Sequence, residues 1–168
     1  MDKVMRKLIG GVCVFCTCLA VSAADVTITI SGKVVAKPCT IATTNANVAL
    51  GNLPTFSFVN AGSASDWKTV TLDLTNCPIG TSSVKATFTG TSDSTGTYFS
   101  NQGTAGNIAL QLADSSGNNL TNGGSLTSTV SDATLSTAFN LQVRAITPVG
   151  KVTQGTIQST IDVTYTWQ

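Results

Sequence analysis

The chain contains no histidine and no glutamate. All eight of its acidic residues are aspartate, and charged residues of both signs make up only 10% of the sequence, well under the roughly 25% of an average globular chain. Without histidine there is no Ser-His-Asp triad, no imidazole metal site and no ordinary pH switch near neutrality. A formal net charge of +1 gives no electrostatic footprint for nucleic acid or an anionic membrane surface. Residues that favour helices are scarce. In their place stand 28 Thr and 17 Ser among 168 residues, with many Val and Ile. These β-branched types suit a pleated, half-buried surface. The composition predicts an all-β domain made for a compartment outside the cytoplasm.

Residues 1–23 read as a secretory signal peptide. Lys3, Arg6 and Lys7 form a positive start, and an apolar run follows from Leu8 to Val21. Its 14 residues fall short of the roughly 20 that a membrane-spanning helix needs. Val21, Ser22 and Ala23 supply the small residues of a cleavage site. The rival reading, a retained membrane anchor, is disfavoured because the residues after Ala24 turn polar and strand-like at once. Cleavage would remove three of the 9 cationic residues and one of the 8 Asp, leaving 6 and 7 and a net charge of −1. Three of five cysteines (Cys13, Cys16 and Cys18) would leave with the signal. Cys39 and Cys77 remain. An even pair in an exported chain is expected to form one disulfide, the alternative being two buried thiols.

Alternation of apolar and polar residues recurs along the rest of the chain. Val26, Ile28, Ile30, Gly32 and Val34 share one face of a first segment. Pro38 interrupts it, and a short run follows from Cys39 to Ile41, with Val48 and Leu50 further on. Later faces are Val70, Leu72 and Leu74; Val84, Ala86 and Phe88; Ile108, Leu110 and Leu112; Phe139, Leu141, Val143 and Ala145. The longest run is last: Ile157, Ser159, Ile161, Val163, Tyr165 and Trp167. Stretches 60–65, 89–96, 101–106, 114–119 and 121–128 are dense in Gly, Ser, Thr, Asn and Asp and read as turns. A short helical turn fits residues 54–59. Short strands, frequent turns and one disulfide predict an immunoglobulin-like β-sandwich. Beyond Pro38 the pattern yields about six long runs, whereas such a sandwich has seven strands or more. The final run reaches Gln168, so its outer edge is expected to lie uncovered, and an uncovered apolar edge invites pairing with another chain.

No catalytic constellation stands out. Ser82 or Ser83 beside Lys85 is the best Ser–Lys pair, of a kind that chance supplies in a Ser-rich chain. Residues 114–119 offer oxygen ligands for Ca²⁺ but lack EF-hand spacing, so a turn is expected there. Asn119, Leu120 and Thr121 form a formal glycosylation sequon with no expected role. Trp67 is a lone aromatic beside a strand, expected in the core or groove rather than in a sugar platform. No enzyme activity, cofactor, metal, small-molecule substrate or nucleic acid is expected.

The run from Ala24 through Cys39 and Thr40 resembles the mature N-terminus of chaperone–usher fimbrial subunits. Asn76, Cys77 and Pro78 resemble that family's second cysteine region. Gln142, Val143, Arg144 and Ala145, then Thr153, Gln154 and Gly155, and an ending of Tyr165, Thr166 and Trp167 complete the likeness. The resemblance covers essentially all of the chain after the signal. It implies an immunoglobulin-like pilin domain, residues 37–168, that lacks its last strand. Residues 24–36 would be an N-terminal donor-strand extension, with Val26, Ile28, Ile30, Gly32 and Val34 as the inserting face. Gly32 would let the strand pass a shallow part of a partner's groove. Gly155, Ile157, Ile161, Val163, Tyr165 and Trp167 would belong to the acceptor groove and chaperone-binding edge. Trp167 departs from the tyrosine usual at that place and lacks its hydroxyl. The partners implied are a tip adhesin, a neighbouring adaptor pilin, a periplasmic chaperone and an outer-membrane usher, on a fimbrium at the bacterial surface. The implied function is a structural tip adaptor in cell adhesion. The alternatives are a major rod pilin or, in a different class, a secreted carbohydrate-binding sandwich.

Overall fold

The computed structural model describes residues 29–33 and 37–168. The expected signal peptide therefore lies outside the described residues. The described residues 37–168 belong to one compact unit. Nine strands are described: β1 (Thr40–Ile41), β2 (Lys68–Thr75), β3 (Ser83–Gly90), β4 (Phe99–Ser100), β5 (Ala109–Asp114), β6 (Asn119–Leu120), β7 (Ser125–Thr129), β8 (Thr137–Ile146) and β9 (Ile161–Trp167). A 3₁₀ turn at Thr55–Phe58 follows Pro54 and buries Phe58, as the sequence suggested.

Two antiparallel sheets result. One has the order β1-β2-β8-β5-β4, with β6 also paired to β5; the other has the order β7-β3-β9. The alternating residues explain how they pack. Leu72 and Leu74 of β2, Leu110 and Leu112 of β5, and Phe139 and Leu141 of β8 turn inward from the first sheet. They meet Val84, Ala86 and Phe88 of β3 in a single buried core. Their polar neighbours Thr71, Asp73 and Asn140 face outward. Burying a Leu, Val or Phe side chain contributes roughly 1.5–3 kcal/mol, so this alternation is the main source of stability. Cys39 and Cys77 are disulfide-bonded across a separation of 38 residues. The bond ties the chain just before β1 to the chain just after β2.

The domain has two distinct ends. At one, the turns on either side of β2 and β8 meet: Ala64 bridges Ile146, and Gly62 N–H donates to Thr147 O at 2.8 Å. A small second cluster of Phe58, Ala105, Ile108 and Ala145 closes this end. At the other end lie the disulfide and the Cys77–Thr81 turn, where Ser82 N–H donates to Gln168 O at 2.9 Å. β9 runs between the two, from Ile161 opposite Gly90 to Trp167 opposite Val84.

Two strand boundaries differ from those expected. Residues 121–128, read as a turn, contain most of β7, which pairs Leu126 with Ala86 and Thr127 with Lys85. The strand forms because β3 offers it a ladder, not because of its own alternation. The last run was read as one strand from Ile157, but β9 begins at Ile161. Residues 156–158 bond instead to the loop before β5, with Ala105 N–H on Thr156 O (3.1 Å) and Gln102 N–H on Gln158 O (2.7 Å). Residues 114–119 are the expected turn: the Asp114 carboxylate accepts from Ser116 N–H (2.8 Å) and Asn118 N–H (2.9 Å). The Asn118 side chain and these N–H groups hold Asp114 below the usual carboxylate range.

Candidate functional site

In an immunoglobulin-type sandwich, strands A, B, E and D form one sheet and C, F and G the other. Counted along this chain, β1, β2, β8 and β5 take the places of A, B, E and D, while β3 and β9 take those of C and F. The place of G, beside β9, is empty among the described residues. The outer edge of β9 therefore presents a row of backbone N–H and C=O groups with no ladder partner.

A groove of about 1120 Å³ opens along that edge. One wall is residues 155–163 with Tyr165. The other is residues 43–53 with Ile41, which run without strand structure beyond β1. The floor is apolar: Val70, Leu72, Phe88, Leu110, Leu112, Leu141 and Val143. Several of these belong to the main core and stay buried, while Val70, Val143 and the side chains of Ile157, Ile161, Val163 and Tyr165 are only partly covered. Along β9 the burial alternates strictly, half-buried at Ile161, Val163, Tyr165 and Trp167 and exposed between them. A strand with one covered face and one free edge is shaped to take another strand.

The sequence-derived residues are distributed as follows. Ile157, Ile161, Val163 and Tyr165 line the groove and pack on the core, and Gly155 lines it too. Trp167 also packs on the core, its ring edge-on to Tyr165 at 6.2 Å, but it lies outside the groove lining. Its indole Nε1–H is buried without a hydrogen-bond partner, as is the Ser159 hydroxyl on the groove wall. Of the inserting face, Ile30 is 91% exposed and Gly32 has open space around its Cα. Val26, Ile28 and Val34 lie outside the described residues.

Trp67 is neither in the core nor in the groove. The Arg144 guanidinium sits 4.2 Å over its ring, and Arg144 Nε–H donates to Gln111 Oε1 at 2.8 Å. The cation holds the half-buried indole beside the first sheet, an arrangement worth roughly 0.5–2 kcal/mol. The wall at residues 43–53 was the main feature that sequence reasoning missed. Only Val48 and Leu50 had hinted at it.

A sandwich whose G position stands open defines a strand-accepting domain. The comparisons with known proteins agree with that class. Residues 28–168 match the family described as fimbrial protein. The chain is 59% identical to protein FimG of Escherichia coli strain K12 over 147 residues, 88% of this chain and 87% of that protein. It is 50% identical to the uncharacterized fimbrial-like protein YdeR of the same strain, over 97% of this chain and 96% of that one. A solved chaperone–usher pilus structure shares the fold with a TM-score of 0.65 at 20% identity, over 89% of this chain and 99% of that chain. The chain belongs to the fimbrial protein family. It is a FimG-like structural subunit of a surface pilus, not an enzyme.

Proposed function

We propose that this subunit is a tip adaptor that joins its neighbours by exchange of strands. Residues 1–23 are removed on export. Residues 24–36 then insert, through Val26, Ile28, Ile30, Gly32 and Val34, into the groove of the tip adhesin's pilin domain. The domain of residues 37–168 receives the corresponding extension of the next subunit toward the rod. Before assembly a periplasmic chaperone covers the same groove, and an outer-membrane usher hosts the exchange. The observation that carries this reading is the open G position beside β9, floored by core side chains. The FimG-like sequence supports placement at the tip rather than in the rod.

The physical chemistry is sufficient. An inserted strand completes the ladder along β9, and each Val or Ile it buries contributes roughly 1.5–3 kcal/mol before ordering costs. No external energy source is needed when the chain's own incomplete core drives the joint.

The test separates the two ends of the chain. Asp in place of Ile30 puts an unpaired carboxylate into an apolar groove, which costs more than the roughly 2–7 kcal/mol of an unpaired neutral polar group. Ile30→Asp should abolish co-purification with adhesin and leave chaperone binding intact. Val163→Asp should impair chaperone binding and subunit yield together. Loss of chaperone binding in Ile30→Asp with adhesin still attached would reverse the assigned roles.

A further inference from the structure

Isolated exposed apolar side chains are ordinary on a protein surface, but here they gather at the two ends of the domain. Phe56 is 79% exposed, Val59 55% and Val149 62%. They stand on adjoining segments, because the 149–152 segment runs along the 3₁₀ turn: Lys151 N–H donates to Val59 O (3.1 Å) and Val152 N–H to Phe58 O (3.5 Å). At the opposite end Ile79, 91% exposed, tips the turn beside the Cys39–Cys77 disulfide.

The direction of the missing strand relates these two ends. This step rests on the strand-exchange reading above. The G strand of the antiparallel sandwich runs opposite to its neighbour. A strand taking that place beside β9 therefore finishes near Ile161, at the end that carries Phe56, Val59 and Val149. In a subunit built like this one, five residue steps separate Val34, the last of the inserting face, from the disulfide-anchored Cys39. Five extended steps reach about 17 Å at most. The body of the donating subunit is thus held against the end of the accepting one, and the part it presents is its disulfide-bearing end.

We propose that successive subunits also touch body to body: Phe56, Val59 and Val149 of this chain seat the disulfide-bearing end of the fimbrial subunit whose extension fills its groove. Ile79 makes the reciprocal contact with the subunit that this chain fills. The inserted strand supplies the affinity. The patch needs only to fix the angle between bodies, which the short tether already holds at high effective concentration. Apolar contact suits a subunit whose own net charge is near zero.

A photo-crosslinking residue placed singly at Phe56, Val149, Ile79, Thr127 or Ile30 of the full chain, in assembled fimbriae, tests this. Thr127 lies in the middle of the outer strand β7 and serves as the control. The expected result is crosslinking from Phe56 and Val149 to the segment flanking a neighbouring subunit's disulfide, with none from Thr127. Ile79 should capture the subunit on the other side. Crosslinks from Ile30 into a neighbour's groove with none from Phe56, Val149 or Ile79 would overturn the body contact and leave strand exchange standing. Failure at Ile30 as well would overturn both.

Discussion

The ring of Tyr165 lies 5.9 Å from that of Phe139, tilted by 39°, so the two sheets meet through an aromatic pair beside the groove. Phe139 is fully enclosed, while Tyr165 is only half-buried and lines the open side. Burial already pushes the Tyr165 phenol above the ordinary tyrosine value.

That shift has a definite sign. A phenol whose pKa is raised by folding stabilises the fold fully below the unfolded value, near pH 10, and this contribution is lost as pH rises through the folded pKa. In a Tyr98→Phe background, phenolate absorbance from Tyr165 should appear above the range of free tyrosine. Occupying the groove with a peptide copied from a subunit extension should move it higher still. A titration that ignores the peptide would place Tyr165 outside the occupied surface.

The disulfide closes a loop of 38 residues, for which chain entropy gives about 4 kcal/mol of stabilisation. Cys39→Ser should lower the denaturation midpoint accordingly and reduce periplasmic yield. Free-thiol labelling of the wild-type protein should find Cys39 and Cys77 blocked.

The outer edge of β9 and the partly buried Val70, Val143, Ile161 and Val163 have no covering strand among the described residues, so residues 37–168 expressed alone should aggregate or require a chaperone. A peptide with the sequence of a neighbour's extension should raise the melting temperature, by mass action on the folded state. A monomeric core whose melting curve is the same with and without peptide would contradict an open strand position.

Gly155 is set by close approach. A Cβ there would press on the backbone of Thr104 and Ala105, 2.7 Å from the Ala105 Cα. The contact is stitched by Thr104 N–H on Thr156 Oγ1 at 3.0 Å. Gly155→Ala should therefore separate the groove wall from this loop and cost roughly 1–3 kcal/mol. Urea unfolding of the chaperone-released subunit measures it, and an unchanged midpoint would show that the wall yields freely.

The inward faces of β2, β3, β5 and β8 were legible because each is a period-two row of Val, Leu, Ala or Phe. β9 was legible as a strand for the same reason, from Ile161, Val163, Tyr165 and Trp167. β7 was not: Leu126 is its one apolar residue, and its strand character comes from pairing with a β3 more than thirty positions earlier. The start of β9 was misjudged because Ile157 keeps the alternation while its backbone neighbours bond elsewhere. Trp67 depends on Arg144, a contact 77 positions away that no local pattern records. The groove wall at residues 43–53 has no period, and beyond Ile41 it forms no strand for a pattern to announce.

β9 spans the domain from end to end, and its vacant edge runs the same way. Ladder bonds stand perpendicular to the strands they join. A tensile load on the fibre would thus pull a seated strand along its own length and strain every rung at once. Such a joint fails in shear, with the whole row breaking together, rather than by peeling rung after rung.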